Sequence, residues 1–390
     1  MRRYVIRARA VATAGRPLED RLLVVSGKRI ESILPSTAAG RLRPRDFLGH
    51  QRYLVMPGLV DVHSHGGGGV DPNTLGGLLA AAYFHASHGT TALMHSDFFT
   101  GYDALARTVE LIWKTRPLAS LHLLGLHLEG PFINPEARGA VPDESLLPPS
   151  VEAADRILQI AGSELRMITV APELPGAEEV IRRFTQAGVV VALGHSLASA
   201  DQTRAGADWG AKVVTHLGNA MRPFHQRDPG MIGAALADQR LTAEVIADGS
   251  HLARETLGMF LRGKQGDLML VSDCRWVGGL PEGSRREAYG RTVAIDDGAA
   301  RFPNGGLAGS IHPVWRGVTE VAKLEGASVW DAVRMASAVP AKVFGLKGAG
   351  RLAVDGLADF VLAGPDLSIR RVFFAGSEVY RAPGEPPLPA

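Results

Sequence analysis

From Met56 to Ala349 the chain alternates short apolar runs with amphipathic stretches of helical period. That alternation marks βαβ units feeding a parallel sheet. Eight apolar runs stand out: Leu59–Val62, Thr90–Met94, Leu121–Leu128, Leu165–Ala171, Val189–Leu193, Ala211–Val214, Ala243–Ala247 and Leu268–Val271. Helices are predicted between them over Leu75–His88, Leu105–Lys114, Val151–Ile160, Ala177–Ala187 and Leu252–Arg262. Nearly every apolar run ends in a residue able to do chemistry: His63 and His65, His95 and Asp97, Glu129, Glu173, His195, His216, Asp248 and His251, and Asp273. Eight strands with reactive groups where they end is the pattern of a (β/α)8 TIM-like barrel enzyme, whose site sits at the C-terminal ends of its strands.

The two ends of the chain read differently. Arg21–Ser26 and Arg29–Leu34 alternate about Gly27-Lys28, a hairpin signal. Phe360–Ala363, Val372–Ala375 and Val379–Arg381 repeat that style. Both ends are therefore expected to share one small β-sandwich domain, residues 1–54 with 350–390, around a catalytic barrel of residues 55–349. The Pro-rich tail PGEPPLP reads as a frayed end.

Composition narrows the classes. Hydrophobic residues make up 46% and charged residues 21%, which suits a globular chain and excludes a disordered one. Lys and Arg number 42 against 40 Asp and Glu, a net charge of +2 that argues against a strongly basic nucleic-acid binder. One cysteine, Cys274, excludes an intramolecular disulfide. Arg7 and Arg9 interrupt any signal-peptide core, and no run reaches the ~18 apolar residues of a membrane span. The chain reads as cytoplasmic, without a membrane or nucleic-acid partner.

Histidine carries the chemistry. In a strand, residues i and i+2 face one way, so His63 and His65 can reach one ion together, or they are two ordinary loop histidines. Glu129, His195 and His216 follow apolar runs in LHLEGP, VALGHS and VVTH. With the HxH pair they form a nitrogen and oxygen set that suits a divalent metal, one ion or two, zinc foremost and Fe, Mn or Co also accommodated. Asp273 is either a loop anchor or, beside a metal, the proton acceptor from water. Asn219-Ala220-Met221-Arg222-Pro223 and Arg227-Asp228-Pro229-Gly230 suit a phosphate, or form a basic surface loop. His85 and His88 read as structural, and one of His122 and His127 as support for the metal shell. His225 and His312 fall in loops over the site.

The runs PGLVDVHSHGGGG, HLEGPFINPEARGA, LGHS, THLGNAMRPFHQRDPG, IADGSH, LVSD and LAGS, in this order, resemble the N-acetylglucosamine-6-phosphate deacetylases of the amidohydrolase superfamily. GAGRLAVDGLADFVL resembles the superfamily's C-terminal β-domain strands. The resemblance covers nearly the whole chain. It implies that Glu129, His195 and His216 are the main metal ligands and that His63 and His65 serve a second ion. It implies that Asp273 is the catalytic acid and base, and that Asn219, Ala220 and His251 bind the sugar phosphate. Arg227 matches an arginine that a neighbouring subunit lends to the phosphate, which implies a homodimer. The implied reaction removes the N-acetyl group of N-acetylglucosamine 6-phosphate, giving glucosamine 6-phosphate and acetate.

Departures fall around the expected acyl pocket. The family's histidine of a G-(A/T)-H triplet is Val141, which donates no side-chain hydrogen bond. Gly218 replaces an aromatic residue, and Cys274, Arg275 and Trp276 replace small residues after Asp273. These changes leave open another N-acyl substrate: N-acetylgalactosamine 6-phosphate, a formyl amine or an acylated amino acid. A dihydroorotase-like hydrolase would need a bridging lysine that no strand end supplies. A non-catalytic barrel scaffold would be expected to have lost ligands.

Overall fold

The computed structural model describes residues 3–13, 16–48, 52–265, 267–288 and 291–388. All eight apolar runs form parallel strands. In sheet order these are Leu59–His65, Thr90–Phe98, His122–Glu129, Leu165–Val170, Val190–Leu193, Val213–Val214, Thr242–Val245 and Leu268–Leu270. The last strand continues through Asp273 into Cys274–Arg275, which pairs in parallel with Leu59–His65. Consecutive segments of one stretch therefore meet both edges, and the sheet closes into a barrel. Two bonds knit the seam: Val271 N–H to Val245 O, 3.2 Å, and Asp273 N–H to His63 O, 2.8 Å.

The strands are continuous apolar runs because both of their faces are covered. Val60, Val62, Met94, Met167, Val213 and Met269 pack inside the barrel. Leu59, Leu93, Leu128, Ile168 and Leu193 pack outward against the helices. Polar caps set where those helices begin. Thr74 accepts from Gly77 N–H ahead of Leu75–Ser87, and Ser150 from Ala153 N–H ahead of Val151–Ala161. Ser199 and Gln202 form a reciprocal capping box before Ala200–Asp208. Ala177–Gln186 buries Val180, Ile181 and Phe184 on one face and turns Glu178, Glu179 and Arg182 outward. Among the described residues, no helix is long and apolar enough to cross a membrane.

Both chain ends contribute to one seven-stranded sheet. Its order is Ser377–Arg381, Ile369–Phe374, Phe360–Ala363, Tyr53–Pro57, Arg3–Val11, Leu18–Ser26 and Arg29–Pro35. The predicted hairpin closes with Ser26 opposite Arg29. Stacked Tyr4, Phe373 and Phe360 rings centre one of its faces. A four-stranded antiparallel sheet, Arg285–Ala288, Arg291–Asp296, Ala299–Arg301 and Leu307–Gly309, follows the last barrel strand. The sequence pattern had not shown it, because its strands are short and the first, RREA, is charged.

The step from the end sheet into the barrel is one residue long. Gly58 separates Tyr53–Pro57 from Leu59–His65, and its N–H donates to Asp359 O, 3.0 Å. A Cβ there would stand 2.0 Å from Thr91 Oγ1 and 2.7 Å from Thr91 Cβ. Gly58→Ala should therefore cost about 1–3 kcal/mol through overpacking. Urea unfolding at fixed metal concentration reads this, and an unshifted midpoint would contradict the close approach.

Candidate metal centre and active site

Two strand ends, two strand-following loops and the break in the closing stretch deliver the five predicted ligands and Asp273 to one mouth of the barrel. His63 and His65 end the first strand and Glu129 the third. His195 and His216 each stand two residues beyond a strand, and Asp273 sits in the break of the closing stretch. His195, His216 and Asp273 have φ of 49°, 27° and 44°, a region costly for side-chain-bearing residues. Such strain gathers at functional sites, where surrounding structure imposes it. The first strand is irregular as well. Its register against Thr90–Phe98 shifts between Asp61 and Ser64. Val62 joins the inner cluster, yet the next residue, His63, places its ring 4.5 Å from that of His127. Strict alternation would have turned one of them away, and a bulge beside a site re-aims side chains in this way.

Glu129 is the hub. Its Oε1 lies 2.9 Å from His195 Nε2, 3.2 Å from His216 Nε2 and 3.4 Å from His63 Nε2. Its Oε2 lies 3.0 Å from His65 Nε2. Asp273 Oδ1 lies 3.5 Å from His65 Nε2 and 3.6 Å from His63 Nε2. The donors form two clusters, Glu129 with His195 and His216, and His63 with His65 and Asp273. His195 Nε2 and His216 Nε2 face each other at 3.1 Å, where one proton at most fits between two lone pairs. Among the described residues, buried His63 Nε2 and His65 Nε2 make no well-formed hydrogen bond, although carboxylate oxygens of Glu129 stand close to both. Lone pairs aimed at a common centre without protons to share fit a cation, and the donor set suits a divalent metal.

The electrostatics agree. Burial alone would raise the Glu129 carboxyl, but His63 and His195 outweigh it and hold it well below the usual range. Burial opposes charge on His63 too, yet Glu129 and Glu244 win and keep its imidazole well above its usual range. The pocket thus favours positive charge at its centre. Around it, burial keeps His127 well below the ordinary range and brings His85 down to about 4.

Glu244 and Asp61 went unread in the sequence, while His127 is the supporting member of the expected pair. Glu244, fully buried, holds His63 Nδ1 at 3.0 Å, which aims Nε2 into the site. Orienting carboxylates of this sort tune ligand basicity. The signal was present as a carboxylate inside an apolar run. His127 is pinned by Ser96 Oγ and Thr169 Oγ1, each at 2.9 Å. Asp61 accepts from Ser272 N–H at 3.2 Å, and burial pushes its carboxyl up to about 6. His85 Nε2 meets Ser64 Oγ at 2.9 Å, a structural role as read.

A cavity of about 160 Å³ opens over the hub. Asn219, Ala220 and His251 line it, as do Val141 and Arg275. His251 is held by Asp248, with Nδ1 to Oδ2 at 2.8 Å. That contact and its charge overcome burial and raise the His251 imidazole. Larger clefts lie on the end sheet and at the opposite end of the barrel, and among the described residues neither holds a metal-ligating cluster. Other candidates stand apart. Arg227 is exposed and does not line the cavity, and neither do His225, His312, Cys274 and Trp276. Cys274 is a buried packing residue whose thiol burial pushes well up, and Trp276 packs against the four-stranded sheet. His122 turns to Asp359 at 3.0 Å instead of supporting the centre. Asp97 ties its strand to the helix Tyr102–Thr115 by accepting from Thr108, and Glu173 anchors a loop by accepting from Ser196 and Leu197.

The sequence pattern of the amidohydrolase family matches residues 54–379. The N-acetylgalactosamine-6-phosphate deacetylase of Escherichia coli O157:H7 is 32% identical, over 96% of this chain and 98% of its own. The human N-acetylglucosamine-6-phosphate deacetylase is 34% identical over 84% of each. Among solved structures, a mutant N-acetyl-D-glucosamine-6-phosphate deacetylase of Mycobacterium smegmatis, in complex with N-acetyl-D-glucosamine-6-phosphate, superposes with a TM-score of 0.89. It is 31% identical and covers 97% of this chain and 100% of its own. The chain therefore belongs to the amidohydrolase family, within its N-acetylglucosamine-6-phosphate deacetylase branch, and is an enzyme that hydrolyses carbon–nitrogen bonds other than peptide bonds.

Proposed function

We propose that this enzyme removes the acetyl group of an N-acetylated amino-sugar 6-phosphate, foremost N-acetylglucosamine 6-phosphate, releasing the free amine and acetate. The observation that carries this reading is the Asp273 carboxylate, held 3.5–3.6 Å from the two unpartnered imidazole nitrogens at the cavity floor. The names and extents of the relatives supply the substrate class.

Glu129, His195 and His216 would hold one divalent ion, with His63 and His65 serving a second and zinc the best suited metal. When bound, the metal acts as a Lewis acid on the carbonyl and acidifies water. Asp273 accepts the proton of the attacking water and returns it to the leaving amine. Its carboxylate is 13% exposed, enough for substrate to reach it and little enough to limit bulk water. Glu244 keeps His63 turned into the site, and His127 packs edge-on behind it. Asn219, Ala220 and His251 line the wall where the sugar phosphate is placed. The exposed Arg227 is suited to reach the phosphate in a second copy of the chain, which makes the working form a homodimer.

Acetate release by the zinc-loaded protein tests the reading, with N-acetylglucosamine 6-phosphate, its galacto epimer and the unphosphorylated sugar in parallel. Turnover of a phosphorylated sugar is expected, falling ~10²–10⁴-fold in kcat in Asp273→Asn at unchanged metal content. Near-full activity of that variant would remove Asp273 from its role. Glu244→Gln should weaken metal retention by ~10–100-fold in a chelator competition. Equal retention would leave Glu244 a packing residue. Arg227→Ala should raise KM for the phosphorylated sugar while sparing metal content, and an unchanged KM would exclude the shared site.

A further inference from the structure

Resting on the deacetylase reading above, we propose that Arg275 is a further catalytic residue, whose guanidinium holds the acyl carbonyl oxygen as negative charge develops on it. The wall at position 141 cannot do so. Val141 is fully buried, packs with Phe98 and Ile133, and has no side-chain donor. Arg275 lines the same cavity, is 4% exposed, and is the one Arg or Lys among its described lining residues.

Its placement is built rather than incidental. Arg275 lies two residues beyond Asp273 and directly opposite His65 in strand register. The backbone fixes it there, its N–H donating to Ser310 O at 2.8 Å. The side chain then passes over Gly309, where a Cβ would lie 2.6 Å from both Arg275 Cγ and Cδ. The guanidinium carbon ends 5.1 Å from the centre of the Phe98 ring, the ring that also packs with Val141. Phe98 in turn packs, tilted, with its centre 4.9 Å from that of the His65 imidazole. The cation is thus confined beside Asp273, His65 and the apolar wall, at the reacting end of the cavity.

The chemistry suits this group. Hydrolysis adds the water oxygen to the carbonyl carbon, moves charge onto the carbonyl oxygen, and then breaks the carbon–nitrogen bond. The proton taken by Asp273 leaves with the amine. Arg275 keeps all its protons, since a guanidinium does not ionise in proteins, and it acts only as a fixed donor. A fixed cation beside the reacting carbon is matched to an oxyanion that appears only in the transition state, so its contribution falls on the chemical step.

The test compares Arg275→Met, Arg275→Lys and Arg275→Met/Val141→His with the unsubstituted enzyme on N-acetylglucosamine 6-phosphate. Metal content and thermal melting are recorded for each, together with inhibition by the methylphosphonamidate of glucosamine 6-phosphate, a tetrahedral mimic. Arg275→Met is expected to lose ~10²–10³-fold in kcat, with a KM within a few-fold of the parent, and to bind the mimic correspondingly less tightly. Arg275→Lys, which keeps the charge and loses the fork, should fall between, and it carries the test if the Met variant melts early. Adding Val141→His should recover part of the loss. A kcat within about threefold of the parent overturns the proposal, as does a rise in KM alone, which would make Arg275 an anchor for a distant anion. Failure of the unsubstituted enzyme on every N-acetylated sugar phosphate sinks the deacetylase reading instead, and it shows before any variant is compared.

Discussion

A single buried carboxylate organises this molecule. Glu129 lies within 3.4 Å of four imidazole nitrogens drawn from distant parts of the chain. Neither the carboxylate nor the imidazoles gain by being there alone. Taking them out of water is expensive, and the lone pairs facing one another repel until positive charge sits between them. The barrel supports such a cluster because its strands end at one rim and its helices hold them there. The strained backbone at His195, His216 and Asp273 is part of that cost, borne by the packed core beneath.

The stretch 268–275 has the heaviest duty. Its first half pairs with the seventh strand, its second half pairs with the first, and the turn between them carries Asp273. Barrel closure and the placement of the proton acceptor are thus one structural event. Arg275 follows in the same stretch, so the cation at the cavity wall is registered to His65 by strand pairing rather than by a flexible loop. Behind these groups, Glu244 holds the His63 ring by a hydrogen bond, and His127, itself pinned by Ser96 and Thr169, packs edge-on against it.

Much of this was legible before any coordinates. Each of the eight apolar runs became a strand, and the five predicted helices lie within a few residues of their expected spans. The reactive residue at each strand end was visible too, but not its fate. Asp97 and Glu173 look like Glu129 in sequence, yet Asp97 ties its strand to a helix and Glu173 anchors a loop. Glu244 looks like an intrusion into an apolar run and became the support for His63. His122 and His127 alternate in one strand, and only the second faces the centre. The four-stranded insertion escaped notice because its strands are too short and too charged to show a pattern.

The division follows from the range of the forces. Hydrophobic pattern, capping and turn chemistry act over a few neighbouring residues, so the chain by itself determined the strands, the helices and the reactive types at their ends. Which ends meet depends on contacts between residues as far apart as His63 and Glu244, 181 positions along the chain. That separation is bridged only when the sheet closes. Tertiary structure alone therefore decided that Glu129 would be the hub, that Asp273 would face the unpartnered histidines, and that Arg275 would stand in the cavity where Val141 offers nothing.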